Sequence, residues 1–354
     1  MVSAKLTNFA ADNYFCYMTD EKKSKLQDLK KELKSGDKLE QLVLDFAVRK
    51  TAGSREDLNG VFYSKNGSHV IMASKSLSGH YDVCDGVREI DGDAFWGCAY
   101  LESITLPDGL ETVGHEAFGR CISLKSVELP ATVKKMGANP FIGLSNISVK
   151  SKSASITSDG KAVYANGGKS LVSFISDDSV YVVPEGVEEI GEKAFFGKKQ
   201  LRWITLPKTL KMIDDEAFFD CDSLQTVTIP AGVESIGACA FGDSMKLGEI
   251  EFEGIPQKMK RSMLAGCERL RTISIPAGSI AGFKKLVRDF DDRVVERHAD
   301  GSAPTEAKPK DKKKDKAEKK DKSADKKEKH HDGKKESKAK EEPKDKKNVS
   351  PMYK

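Results

Sequence analysis

Displaced by 100 residues, the chain lands on itself. Asn66-Gly67 falls on Asn166-Gly167, and Val87, Ile90, Ala94, Phe95 and Gly97 fall on Val187, Ile190, Ala194, Phe195 and Gly197. Leu101, Ile104, Leu106 and Pro107 meet Leu201, Ile204, Leu206 and Pro207. The register continues through Ala117, Phe118, Cys121, Leu124 and Pro130, which meet Ala217, Phe218, Cys221, Leu224 and Pro230. Inside each hundred runs a shorter period of 23, from Pro107 to Pro130 and from Pro184 to Pro207 to Pro230. A period of about 20 to 50 residues marks stacked modules, none of which can hide its apolar face without a neighbour. Stacked modules make a long surface for holding partners.

The modules read VREIDGDAFWGCAYLESITLP, LETVGHEAFGRCISLKSVELP, VEEIGEKAFFGKKQLRWITLP and LKMIDDEAFFDCDSLQTVTIP, with degenerate copies at 133–149 and 233–252 and a shortened one at 258–276. L-x-x-I-x-L-P alternates as a short strand should, and Pro ends it. The Ala-Phe pair suits a helical or 3-10 turn whose Phe plugs the interior beside a small residue. Cys98, Cys121, Cys221 and Cys267 share one module position, three before a Leu. A residue recurring there is most simply a small buried hydrophobe, with a Cys98–Cys121 disulfide between rungs as the minor alternative. Cys16, Cys84 and Cys239 match no metal-ligand spacing.

Val61–Tyr63 and Val70–Met72 flank Asn66-Gly67, a hairpin signal that returns as Val163-Tyr164, Asn166-Gly167 and Leu171–Phe174. Hence the domain plan: 1–59, an N-terminal helical cap; 60–150, the first hairpin and its repeats; 151–276, a second hairpin insertion and its repeats; 277–300, a C-terminal cap; 301–354, a tail. In the first segment, helices from about 20 to 34 and from about 37 onward either shield the first rung or form a partner-binding hairpin. Ile280, Phe283, Leu286, Val287 and Phe290 fit one helical face of the C-terminal cap.

These modules resemble the leucine-rich repeats of the BspA-like family, whose pattern is I-G-x-x-A-F-x-x-C-x-x-L-x-x-I-x-L-P. The resemblance covers roughly residues 60–298 and recurs about seven times in register. It implies a curved leucine-rich-repeat solenoid, β-rich, with a sheet on its concave side, short helical or 3-10 turns on its convex side and hairpin insertions. It also implies a surface-exposed binding or adhesion role in microbes, and no enzymatic activity or cofactor.

Charge divides near residue 300. Residues 301–354 hold 20 Lys against 12 Asp plus Glu, so the excess positive charge sits there and the repeat body is mildly acidic. The tail, without aromatic or branched aliphatic residues over most of its length, reads as disordered. Its alternatives are a solubilising extension, a weak tether to an anionic surface, or a targeting signal; the interspersed acids argue against tight nucleic-acid binding. The first residues, MVSAKLTNFAADNYFC, lack a basic flank followed by an apolar run, so the sequence as given reads as cytoplasmic. The family resemblance points instead to the cell surface or a secreted form. No transmembrane segment is expected, and the oligomeric state is not encoded in the pattern.

No glycine-rich phosphate loop, H-E-x-x-H or G-x-S-x-G occurs. His69 lies past a hairpin turn, His80 in a loop and His115 at a variable position; structural or solvated roles fit all three. His330-His331, in the tail, make a poor metal site. No catalytic residue is assigned. The informative positions are the outward residues of L-x-x-I-x-L, and the candidate ligand-binding residues on the concave face are Lys125, Glu128, Arg202, Trp203, Gln225, Glu249, Glu251 and Arg271. Trp203 is the outlier among Ser, Thr and Asn, and beside Arg202 it has hot-spot composition. Packing under the 150–180 insertion is its alternative role. The leading function is therefore non-enzymatic recognition of a protein or glycan partner; an intracellular scaffold tethered by the Lys-rich tail is the second.

Overall fold

The computed structural model describes residues 54–284 and 292–297, all within one compact unit, Met1–Glu306. The expected N-terminal helices, part of the expected C-terminal cap and the tail lie outside the described residues.

Each module closes one coil of a solenoid; in the regular ones this is a two-residue strand, a turn bearing Ala-Phe, a corner, and a longer strand ended by Pro. A constant module length stacks equivalent residues. Trp203 pairs with Thr226, Thr226 with Glu249 and Glu249 with Thr272, all in parallel. The short strands do the same, with Glu89 beside Thr112 and Thr112 beside Lys135. Ser126–Leu129 and Thr226–Ile229 alternate exposed and buried residues, as the pleat requires.

Phe side chains form the spine. Phe95, Phe118 and Phe141 are fully buried and stack at 5.5 and 5.7 Å between ring centroids. Phe174, Phe195, Phe218 and Phe241 stack at 4.8, 4.8 and 5.2 Å. These spacings follow the ~4.8 Å strand separation, so one rung carries one ring.

The Ala-Phe segment is not helical in the regular modules, which corrects the sequence expectation. Asp93 and Gly97 have φ of 63° and 70°, and the left-handed pair recurs at Glu116 and Arg120, Lys193 and Gly197, and Glu216 and Asp220. Left-handed residues break a right-handed helix. Amides instead alternate between their own turn and the next module: Trp96 N donates to Asp93 O (3.0 Å), Phe95 N to Ala117 O (2.8 Å). Helical geometry does occur at Arg261–Leu264 (3-10) and Ile280–Phe283 (α).

Both hairpins form, Val61–Tyr63 with His69–Ala73 and Ala162–Ala165 with Ser170–Phe174. Each seeds a sheet of short strands, because Val70 pairs with Ile90 and Leu171 with Ile190. The hairpins therefore superpose one residue out of the sequence register: Tyr63 corresponds to Tyr164, and His69 to Ser170. Each is sealed by the same cluster. Tyr81 donates to Asp57 Oδ2 (2.6 Å) and bonds Tyr63; Tyr181 donates to Asp159 Oδ2 (2.7 Å) and bonds Tyr164.

The longer strands do not build one continuous sheet. Ser78–Asp82 pairs with Tyr100–Thr105, and Ser126–Leu129 with Ser148–Ser151. A separate six-stranded parallel sheet runs from Val180–Val182 through Trp203–Thr205, Thr226–Ile229, Glu249–Phe252 and Thr272–Ile275 to Val294–Glu296. Thr205 and Thr228 share that sheet, while Thr105 lies in the first pair. Side chains join the two halves where the ladder stops. Lys193 Nζ meets Glu116 Oε1 at 2.5 Å, Asn139 Nδ2 donates to Lys193 O at 2.6 Å, and Lys198 Nζ donates to Leu144 O at 2.7 Å.

Candidate functional site

The outward face of the six-stranded sheet gathers most of the candidate residues. Trp203 and Glu249 are exposed strand residues in one column, each flanking Thr226. Glu251 is half-buried in the next column, where it pairs with Arg297 and accepts a long contact from Thr228 Oγ1 (3.5 Å). Arg202, Gln225 and Arg271 are exposed but precede their strands, at the corner where the chain turns in. Lys125 and Glu128 lie in the first half, apart from this sheet. Lys125 meets Glu102 at 3.2 Å and Glu128 meets Lys152 at 2.7 Å.

Trp203 is 44% exposed, so the second insertion does not cover it. Its cross-strand partner Val180 is 51% exposed and Val182 is 62% exposed. Val180–Val182 is the terminal strand of its sheet. The equivalent strand of the first half, Ser78–Asp82, presents Ser78, His80 and Asp82 instead. The alternation in S-V-Y-V-V-P carried the signal for Val180 and Val182, with Tyr181 buried between them and Val183 buried after them.

His80, expected in a loop, lies in that strand, bonding Ser103 Oγ at 2.8 Å and Asp82 Oδ1 at 2.9 Å. A hydrogen bond from His115 to Asp93 raises the His115 pKa. Burial pushes Glu216 up to about 7 despite the opposing charge of Lys193, and its Oε2 is buried without a hydrogen-bond partner. His115 and Glu216 both lie within the field of Lys193 and Glu116, while His80 sits on the separate strand Ser78–Asp82.

A family model described as "BspA type Leucine rich repeat region" matches residues 88–176 and 177–285 in six copies. The chain belongs to this family. No curated protein matches it. Among solved structures, a leucine rich cell surface protein from Faecalibacterium prausnitzii is similar at 23% identity and a TM-score of 0.47, covering 58% of this chain and 62% of that one. A leucine-rich repeat protein from Eubacterium ventriosum gives 17% and 0.47, covering 59% and 64%. The pneumococcal vaccine antigen PcpA gives 16% and 0.41, covering 68% and 82%. The chain thus spans less than two thirds of the first two.

As a BspA-type array, the protein uses the thiols at its recurring module position as hydrogen-bond donors as well as buried apolar groups. Cys121 Sγ donates to Phe95 O at 3.1 Å, Cys221 Sγ to Phe195 O at 3.2 Å and Cys267 Sγ to Phe241 O at 3.0 Å. Ser244 fills the same position and donates to Phe218 O at 3.0 Å. That Ser-for-Cys exchange was the legible hint of a donor. Burial pushes Cys121, Cys221 and Cys267 up to about 12, so these thiols are inert. Lys198 takes the position at the junction of the halves and reaches back to Leu144; burial lowers it to about 8. Among the described residues, no helix is long and apolar enough to cross a membrane.

Proposed function

We propose that this BspA-type chain is a non-enzymatic recognition protein that seats a protein partner on the outward face of its six-stranded sheet. The observation that carries this is the exposed trio Val180, Val182 and Trp203 on the terminal strand and its neighbour. A terminal strand offers main-chain groups to an added extended segment, with side-chain columns beside it for specificity. Trp203 is the anchor. Arg202 adjoins it, and Gln225, Glu249, Glu251 and Arg271 continue to one side on successive strands with charges of both signs, the polar part of such a surface. Adhesion at a microbial surface is the setting that fits this reading.

The test compares capture of binding proteins by the full chain with capture by Trp203→Ala and Val182→Lys variants whose thermal midpoints match the parent. Loss of the same bands in both variants supports the reading. Unchanged capture refutes it, and binding confined to a glycan array reassigns the partner class. Protease treatment of intact cells tests the setting: a chain untouched there is not a surface adhesin.

The 20 Lys of residues 301–354 favour a second, separable role as a tether to anionic surfaces. Retention on anionic vesicles should fall steeply with salt and vanish on deletion of 301–354.

A further inference from the structure

Across the first hairpin and the first rung, three potential ligands converge: His69, Glu89 and Asp91. His69 and Glu89 are cross-strand partners, and such partners project to the same side of a sheet. Asp91 follows two residues after Glu89 and so returns to that side. Its amide donates to Val70 O at 3.0 Å, which extends the ladder and pins its backbone. His69 is pinned too: its amide donates to Ser64 Oγ and its carbonyl accepts from Ser64 N, both at 3.0 Å. His69 Nδ1 then lies 3.2 Å from Asp91 Oδ1 and 3.8 Å from Glu89 Oε2. One ligand atom from each residue falls within 4.8 Å of the other two.

We propose that His69, Glu89 and Asp91 form a binding site for a divalent transition cation of the Zn²⁺ type. Ligands at about 2.0–2.1 Å in tetrahedral array stand roughly 3.3 Å from one another, a separation that the two His69 distances of 3.2 and 3.8 Å bracket. The donor set selects the class. An imidazole with two carboxylates suits Zn²⁺ and its borderline neighbours, whereas Ca²⁺ and Mg²⁺ demand oxygen alone. Three protein ligands leave a fourth position for water or a partner's group. On binding, the cation takes the Nδ1 lone pair, so the neutral imidazole carries its proton on Nε2 and the Nδ1–Asp91 hydrogen bond gives way to two metal–ligand bonds.

The second half supplies an internal comparison. Its counterparts are Ser170, Glu189 and Gly191, and Ser170 Oγ donates to Glu189 Oε2 at 2.6 Å. There the single carboxylate is satisfied by a hydroxyl. The first half instead replaces the hydroxyl with imidazole and adds a second carboxylate at a position that is Gly in several modules.

The experiment is calorimetric titration of Zn²⁺ into the full chain with His330 and His331 replaced by Ala, under reductant, which removes the tail imidazoles. The expected result is one saturable event that His69→Ala weakens at least tenfold. Asp91→Asn should weaken it similarly while leaving the metal-free far-UV spectrum and thermal midpoint unchanged. The midpoint should rise with Zn²⁺ in the parent and not in either variant. Identical titrations of parent and His69→Ala overturn the site. Sensitivity to His69→Ala but to neither Asp91→Asn nor Glu89→Gln overturns it as well, because a lone imidazole would then account for the heat.

Discussion

Lys193 Nζ lies 2.5 Å from Glu116 Oε1, across 77 residues of sequence, with both side chains buried. Breaking a buried ion pair on one side strands the other charge, at a cost of about 3–5 kcal/mol. Lys193→Met should lower stability by that order in a denaturant melt. The double variant with Glu116→Leu should recover most of it; additive losses would show that the pair is not coupled.

Glu216 gives the protein a pH-dependent weakness. Burial raises its carboxyl from 4.5 to about 7, with Lys193 only partly offsetting this. Between those values the folded protein holds a proton that the unfolded chain has released. Its contribution is therefore full below about pH 4.5 and lost as pH rises through 7. Glu216→Gln should match the parent near pH 4.5 and exceed it by about 3 kcal/mol at pH 8. A gain independent of pH would contradict the assignment.

Cys121 tests whether its position wants an apolar atom or a donor. Cys121→Ser keeps a donor toward Phe95 O, as Ser244 does naturally toward Phe218 O. Cys121→Ala removes that second donor and leaves Phe95 O with the Cys98 amide alone (3.0 Å), at about 0.5–1.5 kcal/mol. Ser should thus be the milder substitution by thermal denaturation, the reverse of what simple hydrophobic burial predicts.

Gly197 isolates backbone strain from crowding. Its φ is 68°, and a Cβ there would meet nothing nearer than Asp220 Oδ2 at 4.0 Å. Gly197→Ala should cost ~1 kcal/mol through conformation alone. Gly197→Asn, more tolerant of that region, should cost less in the same melt.

The rungs were legible because Leu, Ile and Phe recur at fixed spacing, and a repeated spacing forces equivalent residues into columns. The burial of Phe118 and Cys121 followed directly. The turn conformation was not legible: Glu116 and Lys193 are ordinary residues in a left-handed conformation, imposed by hydrogen bonding to the next module. The hairpin register slipped by one because Asn66-Gly67 and Asn166-Gly167 match as letters, while pairing aligns Tyr63 with Tyr164. The break in the long-strand sheet was hidden for a related reason, since a period in sequence carries no record of where hydrogen bonding stops. Of the candidate face, Trp203 was readable as an exception to its column. Val180 and Val182 escaped notice because they fall outside a full module.

The Asp-Tyr-Tyr cluster that closes each hairpin gives the molecule two self-contained starts. A block that begins with its own finished edge borrows no strand from the block before it. The boundary is thus closed by side chains rather than by a continued ladder: Lys193 and Asn139 bridge it, and Val163, Val172 and Ile175 pack into the apolar core of the first block.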